Sequence, residues 1–220
     1  MTISPDVVRE NPLVKEFIDA ANSYLGALGY TEHGQRHVSL VANISRNVLY
    51  YLNYPSPVPE LANIAGYLHD VGNVVNRHDH GQSSALIALS ILEELKMPPE
   101  EIAIVISAIG NHEEETGDPV NPVAAALILA DKSDVHKTRV RNPQMISFDI
   151  HDRVNYAVER SFLRVDPARK VIALEINIDT KISQVMEYFE IFMSRMIICR
   201  RAAKFLKCNF ELLINEKKLL

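Results

Sequence analysis

Residues 62–73 read ANIAGYLHDVGN, running from Ala62 to Asn73. Ala62, Ala65, Gly66 and His69 recur at helical spacing on one row, and Leu61, Ile64, Ala65 and Leu68 form the apolar row beside it. Small residues on a helix face admit another backbone at short range, so this helix is expected inside a packed bundle. It opens after Ser56-Pro57 and is expected to stop near Gly72, with His69 and Asp70 in its last turn. An imidazole and a carboxylate at the end of an apolar helix need compensation, because an unpaired ionised group in a core is costly enough to neutralise itself instead.

Outward from this segment the helical pattern continues in both directions. Upstream, a helix is expected from Ser4-Pro5 to about Leu25, ended by Gly26 and Gly29, and another from about Arg36 to Leu52. The second carries His37, Val41, Ile44 and Val48 on one stripe, which therefore begins with a histidine. Downstream, Ala88, Ile91, Leu92 and Leu95 mark a fourth helix, and Ile102, Val105, Ile106 and Ile109 a fifth between Pro99 and Gly110, with His112 just after its exit. A sixth opens at Asn121-Pro122 and places Ala124, Leu127, Ile128 and Asp131 on one face. Beyond a loop with Arg139 and Arg141 and a helix around residues 149–159, the pattern turns to alternation. SFLRVD, the Asp166-Pro167 turn and the row Ile172, Leu174, Ile176, Ile178 predict a hairpin, followed by a long helix from about Ile182 to Phe205 and a last strand, NFELLI. The fold class is mainly α: a helical bundle over residues 1–160 with a small β-β-α-β (α+β) appendage over 161–220 that shows no evident catalytic grouping.

Composition agrees with a globular chain. Of 220 residues, 47% are hydrophobic and 23% charged, which excludes a disordered or disulfide-stapled chain. No apolar tract approaches the ~20 residues of a membrane span, and the start, MTISPDVVRENPLVKEF, meets charge before it builds the apolar stretch of a secretory leader. The cytoplasm is the expected location. Cys199 and Cys208 lie in no CxxC pattern, so buried thiols are expected rather than a bridge or a metal site. The net charge of −5 argues against a general nucleic-acid binder. It hides a split: residues 1–136 hold 7 Lys/Arg against 18 Asp/Glu, and residues 137–220 hold 16 against 10, which places a change of role near residue 137.

Three helices thus aim polar groups inward: His37 on one, His69 with Asp70 on another, Asp131 on a third. Singly, each has an ordinary reading as a hydrogen-bonded core histidine or an ion-pair partner. Jointly, two imidazoles and two carboxylates without a thiol are a donor set for Mn, Fe, Ni, Co, Mg or Zn. In the order His, His-Asp, Asp, with the segments HGQRHVSLV, YLHDVGN and ILADKSD, the chain resembles the HD-domain superfamily of metal-dependent phosphohydrolases over about residues 31–140. The resemblance implies a helical HD domain in which His37, His69, Asp70 and Asp131 hold a divalent metal ion. It implies a second metal where further histidines follow the doublet: His80, with Ser84 and Ala85 behind it and His78 as its rival, and His112 of the His112-Glu113 pair. One or two cations per chain are therefore expected, while His136 and His151 look peripheral.

The activity implied is hydrolysis of a phosphomonoester or phosphodiester bond in a small molecule, a nucleotide in first place, by a metal-activated water. Asp70 serves as both ligand and proton acceptor. His33, one turn before His37, and Lys132, after Asp131, are the substrate-binding candidates, with Arg139 and Arg141 as further cations within reach of a phosphate. Two departures narrow the class: HDVGN lacks the lysine, and NHEEETGDPVNP the GYP, of the branch that degrades cyclic di-GMP. GxSxG, GxxxxGK[ST] and GxGxxG are all missing, which removes support for serine-triad, P-loop and Rossmann chemistry. The competing account is a catalytically inactive metal- or ligand-binding regulatory module. The partners expected are a small phosphorylated substrate and, compatible with the sequence, further copies of the chain in a homo-oligomer, with no membrane and no general nucleic acid.

Overall fold

The computed structural model describes residues 3–146 and 149–220. Helices α1 (Pro5–Glu10) and α2 (Pro12–Ala27) replace the single helix expected there. Pro12 has no N–H to donate and its ring disfavours a continuing helix. Asn11 accordingly adopts an extended backbone and caps the new start, its Oδ1 accepting from the N–H of Leu13 at 2.9 Å. Then follow α3 (Gln35–Tyr51), α4 (Val58–Leu68), a 3₁₀ turn (Val71–Val74), α5 (His80–Glu94), α6 (Pro99–Gly110) and α7 (Pro122–Ser133). Helix α4 ends four residues earlier than expected, so His69 and Asp70 occupy the link between it and the 3₁₀ turn.

The bundle is built around α4 and α7. Every residue from Leu61 to Leu68 is buried, and so is every residue from Val123 to Ala130. A Cβ on Gly66 would lie 2.7 Å from the Cα of Ala42, which is the close approach of α3 to α4 that the small-residue row announced. Gly72 is tighter still, since a Cβ there would stand 2.4 Å from the carbonyl oxygen of His80 and 2.4 Å from the amide nitrogen of Ser84. Gly72→Ala should therefore push α5 off the 3₁₀ turn, costing about 3 kcal/mol and lowering the melting temperature by roughly 6–12 °C. Calorimetry checks this, and a shift under about 2 °C would show that the contact yields freely.

Two short 3₁₀ turns lead to α8 (Ile150–Ala157), then β1 (Val158–Asp166), β2 (Val171–Ile178), α9 (Val185–Phe205), β3 (Asn209–Ile214) and β4 (Lys217–Lys218). The sheet order is β1-β2-β3-β4. β1 and β2 form the antiparallel hairpin, β2 and β3 pair in parallel with α9 as their crossover, and β4 adds a short antiparallel edge. That last strand was not expected. Its two-residue turn, Asn215-Glu216, has φ of 48° and 67° but lacks the Asn-Gly signature by which such turns are read. Helix α9 packs against α7 and α8, so the appendage lies on the bundle's central helix. Cys199 and Cys208 are buried and unbridged. Among the described residues no helix is long and apolar enough to cross a membrane.

Candidate metal centre

The C-terminal end of α7, the first turn of α3 and the turn after α4 meet at one point. There the Nε2 atoms of His37 and His69 stand 3.3 Å apart. Asp70 Oδ2 lies 3.5 Å from the first and 3.4 Å from the second. Asp131 Oδ1 lies 3.5 Å from His37 Nε2 and 3.6 Å from His69 Nε2. The other oxygen of Asp70, Oδ1, faces a second group, at 3.2 Å from His80 Nε2, which is itself 3.2 Å from His112 Nε2. Six side chains from five stretches of chain converge, and Asp70 joins the two halves.

Elementary hydrogen-bond chemistry shows what this cluster lacks. Nδ1 of His69 faces the carbonyl of Gly66 at 2.9 Å, and Nδ1 of His112 that of Ile109 at 2.6 Å. Carbonyl oxygens only accept, so both Nδ1 atoms carry the hydrogen and each neutral ring turns a bare lone pair inward at Nε2. His37 is set the same way by Asp134 Oδ2 at 2.7 Å, and His80 by Glu113 Oε1 at 2.9 Å. Four imidazole lone pairs and two carboxylates then point at one another with no hydrogen between them. A cation is the missing partner, and a nitrogen–oxygen set without thiolate suits a borderline or hard divalent ion. Without one, a proton has to stand in. Burial opposes charge on His80, yet its bonds to Asp70 and Glu113 raise its pKa to about 9. Burial with the neighbouring His80 and His69 pushes His112 down to about 3.

A second layer holds these groups in place. Asn73 Nδ2 donates to Asp70 Oδ1 at 3.0 Å. Asp134 accepts from His37 and, through both oxygens, from Arg36 at 3.3 and 2.9 Å, while Arg139 Nη1 donates to its backbone oxygen at 2.9 Å. Burial would raise the Asp134 carboxyl, but Arg139, His37 and Arg36 hold it well below the usual carboxylate range. Carboxylates that orient a ligand histidine are typically worth about 10- to 100-fold in metal affinity. Asp134→Asn, which removes the carboxylate charge and sets an amide N–H2 against a donor of Arg36 or His37, should weaken metal binding by about that factor in a chelator competition. Unchanged affinity would mean that His37 is held by packing alone.

The substrate-side candidates fall into distinct places. Lys132 is turned inward and only 5% exposed, its Nζ 2.7 Å from Asp131 Oδ2 and 2.5 Å from Glu114 Oε2. Burial opposes its charge, and the two carboxylates restore it and raise its pKa. His33 sits 5.4 Å from the His37 ring, Nδ1 donating to Thr31 O at 2.7 Å and Nε2 accepting from Arg139 Nη2 at 2.8 Å. Burial and Arg139 keep it well below its ordinary pKa. Arg139 has all three guanidinium nitrogens engaged by Glu32 O, Asp134 O and His33, and Arg141 clamps the backbone of Asn22, Tyr30 and Thr31, so both are bracing residues rather than phosphate contacts. His78 is exposed and apart from the cluster, and His136 bonds to Thr138 and the Glu159 carbonyl away from it.

A cavity of about 430 Å³ opens beside the cluster, lined among others by His33, Arg77, Glu114, Arg139 and Arg195. Its other wall comes from α8, and Arg195 of α9 corrects one expectation, since the C-terminal part does contribute a polar group near the centre; His151 lines the cavity as well, its side chain 59% exposed. Sequence reading also missed Asn73, Glu114 and Asp134. Asn73 and Asp134 each stand three residues beyond a ligand candidate, the spacing at which one helical turn brings side chains together.

With this geometry in hand, comparison with known proteins gives one answer. The sequence pattern of the HD domain matches residues 34–135, a stretch that contains all six converging residues. An uncharacterized protein of Methanocaldococcus jannaschii is 30% identical over 194 residues, covering 78% of this chain and 74% of the relative. The chain belongs to the HD-domain superfamily.

Proposed function

We propose that this protein is a metal-dependent phosphohydrolase that hydrolyses a phosphate ester of a small molecule, in first place a nucleotide. The observation that carries the reading is the inward convergence of the Nε2 atoms of His37, His69, His80 and His112 on Asp70 and Asp131, with each Nδ1 held from outside. His37, His69, Asp70 and Asp131 would hold one divalent cation, and Asp70, His80 and His112 a second. A divalent cation so held lowers the pKa of water towards ~7 and offsets negative charge on phosphoryl oxygens.

The chain's own residues supply the rest. Asp70 accepts the proton of the attacking water. The water oxygen bonds to phosphorus, the ester P–O bond breaks, and the proton taken up by Asp70 passes to the leaving alcohol, which frees inorganic phosphate from a monoester or a phosphomonoester from a diester. Lys132, already bonded to Asp131 and Glu114, adds positive charge at the edge of the centre, and Arg77, within 3.4 Å of His80 Nε2, adds more from the cavity side. Such preorganised charge is worth ~3 kcal/mol per contact in a water-poor site. His33, neutral and locked by Arg139, shapes the wall next to His37. The testing experiment is turnover of a generic phosphomonoester and a generic phosphodiester with Mn, Mg, Ni, Co and Zn in turn. Metal-dependent release of phosphate or alcohol is expected. Stoichiometric metal without turnover across a broad nucleotide panel would favour the regulatory module instead.

A further inference from the structure

The cavity beside the centre has two walls of opposite character, and only the inner one adjoins the residues discussed so far. On that wall two guanidiniums present nitrogens that bond to no protein acceptor among the described residues. Arg195 of α9 donates only Nε, to Glu114 Oε1 at 3.2 Å, and lies over the Phe192 ring at 4.4 Å. Arg77 donates only through Nη1, to Asn73 Oδ1 at 3.3 Å and towards His80, and lies over Tyr30. Arg139, on the same cavity, has no nitrogen to spare. Two forked donors with open N–H groups suit a phosphoryl group.

The facing wall, from α8, holds acceptors. The Asp152 carboxylate accepts no hydrogen bond among the described residues, and burial together with Asp149 raises its pKa. Asn155 is 5% exposed and donates Nδ2 to His151 O at 2.8 Å, which leaves Oδ1 without a donor on a side chain that lines the cavity. That oxygen is not sealed from solvent, so a ligand hydroxyl can take the place of water on it.

Three ligand chemistries can be weighed against this pairing. A second phosphate beyond the first would be driven against Asp149 and Asp152. An ammonium group would share the cavity with Arg77, Arg139 and Arg195, and the ring faces of Tyr30 and Phe192 that could cage it are already covered by guanidiniums. Neutral hydroxyls donate to Asp152 and Asn155 and repel neither wall. About 430 Å³ is within the range of small-ligand pockets.

We propose that this cavity selects a phosphomonoester whose leaving group carries hydroxyls, with the phosphoryl group against Arg77 and Arg195 and the hydroxyls on Asp152 and Asn155, and that it rejects phosphoanhydrides. The proposal rests on the phosphohydrolase reading above, and it makes α8 and α9, outside the matched residues 34–135, the source of specificity.

The test is calorimetric binding to the full-length, manganese-loaded protein. The probes are adenosine 5′-methylenephosphonate, which cannot be hydrolysed at its P–C bond, its 2′,3′-dideoxy counterpart, and the same phosphonate extended by two phosphates. The first should bind about tenfold more tightly than either of the others. In Asp152→Asn the dideoxy penalty should shrink and the extended compound should bind about threefold more tightly than to the parent, a gain that a merely structural role would not produce. Extended or dideoxy probes binding as well as the first would overturn the proposal, as would tighter binding of phosphoethanolamine. The parent protein's ratios decide the matter even if the variant does not fold. Absence of ester turnover alongside the expected ratios would sink the phosphohydrolase reading alone, and turnover alongside the opposite ratios would sink the selectivity alone.

Discussion

Asp70→Ala should lose metal-dependent turnover by at least about a thousandfold, because one truncation removes an oxygen from each half of the cluster. Oδ2 faces His37 and His69, Oδ1 faces His80, and the carboxylate is also the only proton acceptor in the proposed reaction. The protein itself should still fold. Burial opposes the ionised Asp70, and its contacts with His69 and His80 hold its pKa low, so removing it also relieves an electrostatic demand. The variant should therefore melt within a few degrees of the parent, as a thermal scan would show, while metal analysis finds less than the parental content. A variant retaining more than about a tenth of parental turnover would remove Asp70 from the chemistry.

The second large effect is on stability. Lys132→Met should cost about 3–5 kcal/mol, since it leaves Glu114 and Asp131 facing each other in a buried site without their shared ammonium. At about 2–4 °C per kcal/mol for a chain of this size, the melting temperature should fall by roughly 10 °C. Adding Glu114→Gln should recover part of that loss, because one of the stranded carboxylates is then gone, and Arg195 gives up only a single contact at Nε. A Lys132→Met protein as stable as the parent would mean that the cation at the centre already neutralises both carboxylates.

Much of the centre could be read along the chain, and the reason is periodicity. His37 begins an apolar stripe, Asp131 ends one, and the His69-Asp70 doublet closes a helix whose small residues let Ala42 approach. An inward polar group on such a face stands out from the spacing of its neighbours alone. The residues that were missed act across the fold instead. Asp134 matters because Arg36 and His37, about a hundred positions away, reach it, and Arg195 matters because Glu114 does. No local pattern encodes those meetings. Lys132 illustrates the same limit: its position, about 100° round the helix from Asp131, does not say whether it meets water or a carboxylate, and Glu114 on a distant loop decides it. The break at Pro12 was legible in principle, since Asn-Pro is a helix-start signal like Ser4-Pro5, but the expected helix was bounded only by Ser4-Pro5 and by Gly26 and Gly29.

The account stands on cations being held among these six side chains. Crystals grown with manganese and measured at its absorption edge address that directly. An anomalous peak among His37, His69, Asp70 and Asp131, with another against Asp70, His80 and His112, is the predicted result. A map without either peak, in which protein hydrogens alone satisfy His37 and Asp131, would contradict it.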